Sequence, residues 1–385
     1  MERRAPVFFL VAGEVSGDVL AAGLIRALRQ HYPDARFMGV TGPRMVAEGC
    51  ESLAGIEALS LFGVSEVIGQ IPRLLRLRQR LYREVTSRRP DVFIGVDAPA
   101  FNTRLEERVR RAGVVTVHYV CPTAWAWRSG RTREIRRAVD LMLAIFPFEP
   151  EFFAAHDIPV TFVGHPLADE LPAHADVDAA RDALGLDRHV RWIGLLPGSR
   201  GAEVSRLGPL FLDVARWLRR RDPSVRFVAP MANTRVRQRF EADLARFSDL
   251  EVVLVDGCSR EVMRAANALL VASGTATLEA LLAKTPMVVA YELSAVNYWI
   301  ARGLDLIKTE FVSMPNLLAG RRLVPELLQT DARVPMLGAW LYRLLHSTAA
   351  RAEQLEAFEA IHAGLARGAD ARAAEAVVAL LESRP

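Results

Sequence analysis

Two acidic side chains stand directly after apolar runs, where a protein can use a carboxylate to move a proton. Asp97 follows residues 92–96 and precedes a proline turn, and Glu14 lies in the segment AGEVSGD after residues 7–12. A carboxylate at the carboxyl end of a buried strand becomes a general base when partial desolvation raises its pKa. The sequence therefore predicts Asp97 and Glu14 as catalytic residues, with Asp97 as the base. The alternative for Asp97 is a helix N-cap, although Asn102 is better placed for that role.

The segment AGEVSGD also allows an ordinary explanation. Its small residues let a ligand approach the backbone, and the helix that follows attracts anions at its first turn. The same letters fit a simple strand-to-helix turn in which Ser16 or Asp18 caps the helix. Both interpretations stay open for this turn.

Two turns in the second half of the chain predict a phosphate site. PGSR follows residues 191–196 and SGT follows residues 268–271, and a helical segment comes after each turn. Backbone N–H groups at a helix start attract anions, and an arginine binds phosphate oxygens through two hydrogen bonds. The predicted phosphate-binding residues are Gly198, Ser199, Arg200, Ser273, Gly274 and Thr275.

Other polar and aromatic side chains near these turns are candidates for ligand contact. Glu279 could accept hydrogen bonds from ribose hydroxyls, or lie on a solvated helix face, and Asn316 carries both donors and acceptors. His165 either lines the site or orders the hinge. Trp125 and Trp127 either stack on a ligand or pack in the interior.

The sequence offers no metal motif beside these turns. It contains no HExxH pattern and no clustered pair of histidines, and its three cysteines are far apart. We therefore expect no metal and no cofactor. The charge of a diphosphate would be neutralised by Arg200 and by helix N-termini.

A doubly wound α/β fold is needed to bring these turns together. Apolar β-branched runs alternate with helix-period segments in both halves, and strands that are apolar throughout indicate parallel sheets covered on both faces. We expect two Rossmann-like domains that face a central cleft, with ligands at the carboxyl ends of their strands. The predicted domains are residues 1–170, 171–348 and a helical segment, 349–385, that packs back on the first domain. The predicted strands cover residues 7–12, 36–40, 92–96, 114–120, 141–146 and 161–163, then 191–196, 226–229, 251–255, 268–271 and 287–291.

The composition excludes several classes of protein. Hydrophobic residues make up 51% of the 385 residues and charged residues 24%, which indicates a globular chain rather than a disordered one. No charge-free stretch reaches the roughly 18 residues that a membrane-spanning helix needs. The formal net charge of +4 is too small to indicate nucleic-acid binding. Few cysteines and no signal peptide favour a cytoplasmic location.

Residues 59–85 combine apolar and arginine side chains as interfacial helices do. Pro72 is predicted to open a helix in which Arg73 and Arg76 begin a basic face. Such an element can lie on an anionic membrane and guide acyl chains, while a crossover helix packed on the sheet is the alternative. The apolar flank before the proline consists of Leu61, Phe62, Val64, Val67 and Ile68.

Seven motifs, in chain order, carry a family resemblance. They are AGEVSGD, GVDAPAFN, YVCPTAWAWR, FVGHPL, LLPGSRGAEV, ASGTATLEALL and SMPNLLAGRRLVPELLQ. Together they resemble the lipid-A-disaccharide synthases of Gram-negative bacteria, over most of the chain. The resemblance implies the GT-B glycosyltransferase fold, with the acceptor on the N-terminal domain and the UDP-sugar on the C-terminal one. The implied reaction is inverting: 2,3-diacylglucosamine passes from its UDP donor to 2,3-diacylglucosamine 1-phosphate, which gives a β-1,6 disaccharide and UDP.

The same resemblance implies roles and partners. Asp97 would deprotonate the acceptor 6-hydroxyl, Glu14 would orient the acceptor sugar, Glu279 would hold the ribose and Asn316 would contact the nucleotide. The implied partners are the two lipid substrates and the anionic surface of the inner membrane, where the protein would be peripheral, without nucleic acid. The oligomeric state stays open, a homodimer included.

Two other functions stay open from the sequence. One is another UDP-sugar enzyme of the same fold, such as a UDP-sugar 2-epimerase or a transferase with a soluble acceptor. The other is a nucleotide-sugar-binding membrane module without turnover. The epimerase would need further acid and base residues, and the module would form no disaccharide.

Overall fold

The computed structural model describes residues 5–59, 64–122, 131–173, 176–292 and 310–383, and for residues 64–70 it describes the backbone alone. The chain divides into two units. The first comprises Met1–Asp169 together with Leu365–Pro385, and the second comprises Glu170–Gly364. Each unit is built around its own parallel sheet.

The sheet of the first unit has seven described strands, all parallel, in the order β3-β2-β1-β4-β5-β6-β7. Its central strands are buried along their whole length, because helices cover both faces. The strands are β1 (Val7–Ala12), β2 (Arg36–Thr41), β3 (Glu51–Gly55), β4 (Val92–Val96), β5 (Val115–Tyr119), β6 (Leu141–Ala144) and β7 (Val160–Phe162).

The helices of the first unit cover the sheet with apolar faces. Phe8 and Leu10 point to a cluster that includes Leu24 of the first helix, whereas Phe9 on the opposite face packs with a cluster that includes Leu81 and Leu105. This alternation along one strand is the period of two that a sheet with two covered faces requires. The helices are α1 (Val15–His31), α2 (Pro43–Ala47), α3 (Val64–Arg88), α4 (Pro99–Arg111), α5 (Thr132–Ala138), α6 (Glu149–Ala154) and α7 (Pro166–Glu170).

The second unit repeats the plan with six described parallel strands in the order β10-β9-β8-β11-β12-β13. They are β8 (Arg191–Leu196), β9 (Val225–Met231), β10 (Val252–Asp256), β11 (Ala268–Ala272), β12 (Met287–Tyr291) and β13 (Glu326–Leu328). The helices are α8 (Val177–Ala183), α9 (Gly201–Arg221), α10 (Thr234–Leu244), α11 (Ser259–Ala265), α12 (Ala276–Leu282), α13 (Met314–Ala319), α14 (Val334–His346) and α15 (Thr348–Leu365).

The last helix, α16 (Ala369–Glu382), returns to the first unit and packs against α1. Ala373, Ala374 and Val377 join the core cluster beneath β1. The carboxylate of Asp169 accepts hydrogen bonds from the backbone N–H groups of Gly368 and Ala369, at 2.9 and 2.6 Å, and so caps the start of α16.

The predicted α/β class with two doubly wound sheets is confirmed, and three local elements differ from the prediction. The edge strands β3 and β13 were not predicted. Helix α3 begins at Val64, so Pro72 lies inside it rather than at its first turn. Pro72 is exposed, so the backbone hydrogen bond that it removes is lost on the solvent side. No helix among the described residues is both long and apolar enough to span a membrane.

Candidate active site

The strand order of the first unit reverses between β1 and β4, and this is where open α/β sheets bind ligands. Ala12 of β1 pairs in register with Val96 of β4, so Gly13 and Asp97 leave the sheet at the same edge. A Cβ atom on Gly13 would lie 2.2 Å from the Cβ of Ala98, which only glycine avoids. The Gly13 backbone of one predicted catalytic turn therefore packs against Ala98 of the other.

Asp97 is partly buried and has a left-handed backbone, with φ of 54°, as does Ala98, with φ of 45°. Its N–H donates to the carbonyl of Tyr119 on β5 at 2.9 Å. One carboxylate oxygen, Oδ1, accepts from the N–H of Ala98 at 2.8 Å, and no other hydrogen bond to this carboxylate is found among the described residues. Two successive non-glycine residues in this region carry strain, a feature that is concentrated at functional sites. The turn holds one oxygen of Asp97 and leaves the other able to accept a proton.

Asn102 holds the ends of β1 and β4 together. The side chain is fully buried in the first turns of α4, and its Nδ2 donates to the carbonyls of Asp97 at 2.8 Å and Val11 at 3.1 Å. It is not the N-cap, a position that Ala98 occupies. Asn102 therefore positions the backbone that carries Asp97.

A buried pair behind Asp97 was not singled out from the sequence. Nδ1 of His118 on β5 lies 2.6 Å from Oε1 of Glu106 on α4, and both side chains are excluded from solvent. Burial lowers the pKa of His118, but the charge of Glu106, its hydrogen bond and the charge of Asp97 outweigh burial, so the pKa is raised. A histidine within the apolar run VTVHY was the available signal, since a buried charge needs a partner.

Of the two acids in AGEVSGD, only Glu14 is available to a ligand. Glu14 is exposed at the N-cap of α1, and its side chain makes no hydrogen bond or ion pair within the described part of the chain. Asp18 is buried and caps a different helix, because its carboxylate accepts from the N–H groups of Gly42, Arg44 and Met45 at 2.9–3.0 Å. Asp18 is thus structural, and the catalytic role of Glu14 stays a prediction.

The second unit has the same reversal of strand order between β8 and β11. Leu196 pairs with Val271, so the turns at 197–200 and 273–275 leave neighbouring strands at one edge. Each turn leads into a helix, α9 after the first and α12 after the second. The residues predicted to bind phosphate therefore follow neighbouring strands at one edge of the sheet.

The PGSR turn already contains an internal anion. Oε2 of Glu203 accepts from the N–H groups of Ser199 and Arg200, at 3.2 and 3.3 Å. Gly198 has a φ of 125°, and a Cβ there would lie 2.6 Å from the Cβ of Glu203. The Arg200 side chain is 83% exposed and only loosely paired with Glu203, at 3.8 Å. The Arg200 guanidinium is thus open to solvent, whereas Glu203 occupies the two N–H groups, and phosphate binding at this turn stays a prediction.

The SGT turn is stabilised by two side-chain hydrogen bonds and is exposed to solvent at Gly274 and Thr275. The hydroxyl of Ser273 donates to the carbonyl of Val312 at 2.9 Å, and that of Thr277 donates to the carbonyl of Gly274 at 2.7 Å. Gly274 and Thr275 are exposed. Ser273 therefore supports the turn, whereas the next two residues present their backbone to solvent.

Two predicted nucleotide contacts have protein partners in this structure. Oε2 of Glu279 accepts from Nε of Arg260 at 3.3 Å. Asn316 is fully buried: its Oδ1 accepts from the N–H groups of Leu323 and Val324 at 2.7 and 2.8 Å, and its Nδ2 donates to the Val324 carbonyl at 3.0 Å. Ligand contact by Glu279 and Asn316 stays a prediction, and the observed role of Asn316 is to fix the 323–324 turn.

Two further titratable side chains, His165 in the first unit and Tyr291 in the second, have shifted pKa values. Burial lowers the pKa of His165 to about 4, and its Nδ1 accepts from the N–H of Leu167 at 3.2 Å, so it is a neutral side chain that orders a turn. Tyr291, which the sequence did not single out, ends β12. Burial and the charge of Glu203 raise its pKa, while Arg206 and Arg200 lower it, so the phenol lies within electrostatic reach of the PGSR turn.

Part of the predicted membrane flank lies outside the described residues. Leu61 and Phe62 are its members outside the described residues, whereas Val64, Val67 and Ile68 lie on the described backbone of α3. Trp125 and Trp127, the predicted aromatic contacts, also lie outside the described residues. Arg73 and Arg76 are exposed on the same helix, together with Ile71 (45%) and Leu75 (51%). Within the described residues, no group of three or more His, Cys, Asp or Glu side chains is arranged to hold a metal ion.

Comparison with known proteins gives a consistent picture. The family model described as lipid-A-disaccharide synthetase matches residues 8–379. A lipid-A-disaccharide synthase of Pseudomonas aeruginosa is 51% identical over 97% of this chain and 98% of its own length.

Among solved structures, the UDP-GlcNAc 2-epimerase from Neisseria meningitidis bound to UDP-GlcNAc superposes with a TM-score of 0.65 at 13% identity, covering 98% of this chain and 100% of that one. A glycosyltransferase from Rickettsia africae gives 0.60 at 10% identity, covering all of both chains. At such identities the likeness shows the fold alone, and this fold is the predicted one.

Proposed function

Since the chain belongs to the lipid-A-disaccharide synthetase family, we propose that it is an inverting glycosyltransferase that makes the lipid A disaccharide. The donor is UDP-2,3-diacylglucosamine and the acceptor is 2,3-diacylglucosamine 1-phosphate. The products are the β-1,6-linked disaccharide 1-phosphate and UDP. The second unit binds the donor and the first unit binds the acceptor.

The geometry of Asp97 is the observation that carries this proposal. Its turn fixes one carboxylate oxygen on the N–H of Ala98 and anchors the backbone through Asn102 and Tyr119. The other carboxylate oxygen can accept the proton of the acceptor 6-hydroxyl while the hydroxyl oxygen attacks the anomeric carbon. A single displacement inverts the configuration, so no covalent nucleophile is needed.

The leaving diphosphate gains negative charge in the same step. The exposed guanidinium of Arg200 and the open backbone of Gly274 and Thr275 supply positive charge and N–H donors for it. The N–H groups of Ser199 and Arg200 add to them when Glu203 moves away. Such donors stabilise charge that develops in the transition state without a bound metal.

We also place the protein at the cytoplasmic surface of the inner membrane as a peripheral enzyme. Both substrates carry acyl chains, and α3 exposes Ile71 and Leu75 beside Arg73 and Arg76. Apolar side chains next to arginines are typical of helices that lie on anionic lipid. This support is independent of the undescribed part of the flank.

A UDP-sugar 2-epimerase is not favoured. The likeness to the epimerase of N. meningitidis rests on the fold at 13% identity, whereas the match to the synthase of P. aeruginosa reaches 51% over nearly the whole chain. The fold supports many chemistries, so it does not choose between them.

The test is incubation of the purified protein with the UDP-diacylglucosamine donor and the 1-phosphate acceptor, followed by mass spectrometry. We expect the disaccharide 1-phosphate together with UDP. An isomerised UDP-sugar without disaccharide would support the epimerase, and binding without any product would support a module that lacks turnover.

A further inference from the structure

The first unit contains an arginine-rich cavity of about 530 Å³ that is lined by residues of α3, α4 and α5. Its charged lining consists of Arg78, Arg104, Glu107, Arg108, Glu134 and Arg137. Four positive charges stand against two negative ones. Glu107 also forms an ion pair with Arg111, which is not part of the lining, so the positive excess is larger than the count suggests.

A smaller cavity, of about 250 Å³, adjoins it and extends toward the turn that carries Asp97. The two share Thr103, Arg104 and Glu134 as lining residues, and the smaller one extends to Pro99, two residues after Asp97. Arg104 is five residues beyond Pro99 on α4, which corresponds to roughly 7.5 Å along the helix axis.

Arg78 lines this cavity and forms no ion pair with any residue that the structure describes. Its guanidinium lies 5.0 Å from the ring centre of Phe101, and its buried Nε makes no hydrogen bond with any described residue. Burial lowers the pKa of Arg78, and the charges of Arg104 and Arg108 lower it further. An anion in the cavity would remove this repulsion and give Nε an acceptor.

Two side-chain contacts hold Arg108 in place. Arg108 stacks over the ring of Tyr82 at 4.1 Å and donates to Oε1 of Gln79 at 3.0 Å. Leu75, which is 51% exposed, borders the same cavity, and Ile71, one turn earlier on α3, is 45% exposed. An arginine-lined cavity and exposed apolar side chains therefore adjoin along α3, an arrangement that suits an anionic lipid with acyl chains.

We propose that this cavity binds the phosphate of the lipid acceptor, with Arg78, Arg104 and Arg108 as its ligands and the exposed face of α3 along its acyl chains. The inference rests on the proposed function for the identity of the acceptor. In this proposal the three arginines select a phosphorylated acceptor over an unphosphorylated one, whereas Asp97 supplies the base.

The test compares two ligands on three variants. Binding of 2,3-diacylglucosamine 1-phosphate and of the same lipid without its phosphate is measured in identical detergent micelles by titration calorimetry. For the wild-type protein we expect the phosphorylated ligand to bind about 10- to 100-fold more tightly, the value of one or two charge-assisted hydrogen bonds. Arg104→Gln and Arg78→Gln should reduce this ratio by about tenfold each.

The controls separate a binding effect from a folding effect. Arg104 is exposed and repels Arg78, so Arg104→Gln should not lower the melting temperature, even where Arg78→Gln does. Arg133→Gln removes the same charge from α5 at an exposed position that does not line the cavity, and should leave the ratio unchanged. UDP affinity should be unchanged in all three variants.

Three results would overturn the proposal. One is an unchanged ratio in Arg104→Gln and Arg78→Gln. Another is a similar loss in Arg133→Gln, which would indicate a general charge effect. The third is that Arg104→Gln and Arg78→Gln lose binding to phosphatidylglycerol vesicles while their affinity ratio for the phosphorylated and unphosphorylated lipid stays unchanged. That result would assign the cavity to bulk lipid headgroups. Because the readout is binding, it stands apart from the product assay that tests the proposed function.

Discussion

Replacing Asn316 with alanine removes three buried hydrogen bonds at once. In the structure its amide accepts from the N–H groups of Leu323 and Val324 and donates to the Val324 carbonyl. Asn316 and Val324 are fully buried and Leu323 is 6% exposed, so water reaches these groups poorly. The substitution therefore leaves two donors and one acceptor without partners.

The size of the effect follows from these contacts. A buried polar group left unsatisfied costs about 1–3 kcal/mol, so three groups give an upper range of roughly 3–9 kcal/mol. Local relaxation and water entry reduce this, and we expect a loss of about 3–5 kcal/mol in the free energy of unfolding. Asn316→Asp keeps the acceptor for both N–H groups, but it loses the donor to Val324 and buries a carboxylate against that carbonyl oxygen, so it should also destabilise the protein.

Urea unfolding monitored by far-ultraviolet circular dichroism measures the loss, and titration calorimetry measures UDP affinity. Asn233→Ala is the matched control, because Asn233 is an exposed N-cap in the same unit with one hydrogen bond to Val236 and should cost about 1 kcal/mol. If Asn316→Ala unfolds like the wild type while its UDP affinity falls, the side chain is a ligand contact and the structural argument is wrong.

Three further predictions concern charge. Arg200→Ala should weaken UDP binding about tenfold or more without changing acceptor affinity, because we propose that its exposed guanidinium binds the diphosphate. Unchanged UDP affinity in calorimetry would contradict this. Glu106→Gln leaves His118 without its carboxylate and should cost about 3 kcal/mol at pH 6. Since the pKa of His118 is raised in the folded state, its stabilising effect is complete below pH of about 6.5 and is lost as pH rises through the folded pKa. The difference in unfolding free energy between wild type and variant should therefore shrink at higher pH, and a constant difference would refute the argument. Turnover should persist in excess EDTA, and a strict requirement for added divalent metal would contradict charge neutralisation by the protein alone.

The sequence predicted the strands that hold the site better than the strands at the edges. The predicted bounds of β1, β4, β8 and β12 match those observed, since these runs are almost entirely apolar and end at a turn. Strand β3, ESLAG, is partly exposed at an edge, and β13 has only three residues, so neither carries a clear apolar signal. The prediction that Pro72 opens a helix is wrong, because it rests on the rule that an interior proline costs a hydrogen bond and α3 contains its proline nonetheless.

In the site, likewise, the turns could be predicted from the sequence, whereas the partners of the side chains could not. Small residues after an apolar run indicated the turns at Asp97, Gly198 and Gly274, because that signal is contained in a few neighbouring residues. The partners of side chains depend on pairings that no local pattern contains. Arg260 reaches Glu279 from 19 positions away, and the amide of Asn316 binds a turn that is adjacent only in the folded chain.

The central claim, that Asp97 is the base of a glycosyl transfer, is tested most directly by Asp97→Asn. The amide retains an oxygen for the N–H of Ala98 but cannot accept the acceptor proton at neutral pH. Turnover of the UDP-diacylglucosamine donor should fall by about 10²- to 10⁴-fold, with UDP affinity and melting temperature close to those of the wild type. A wild-type rate of disaccharide formation in this variant would contradict the mechanism.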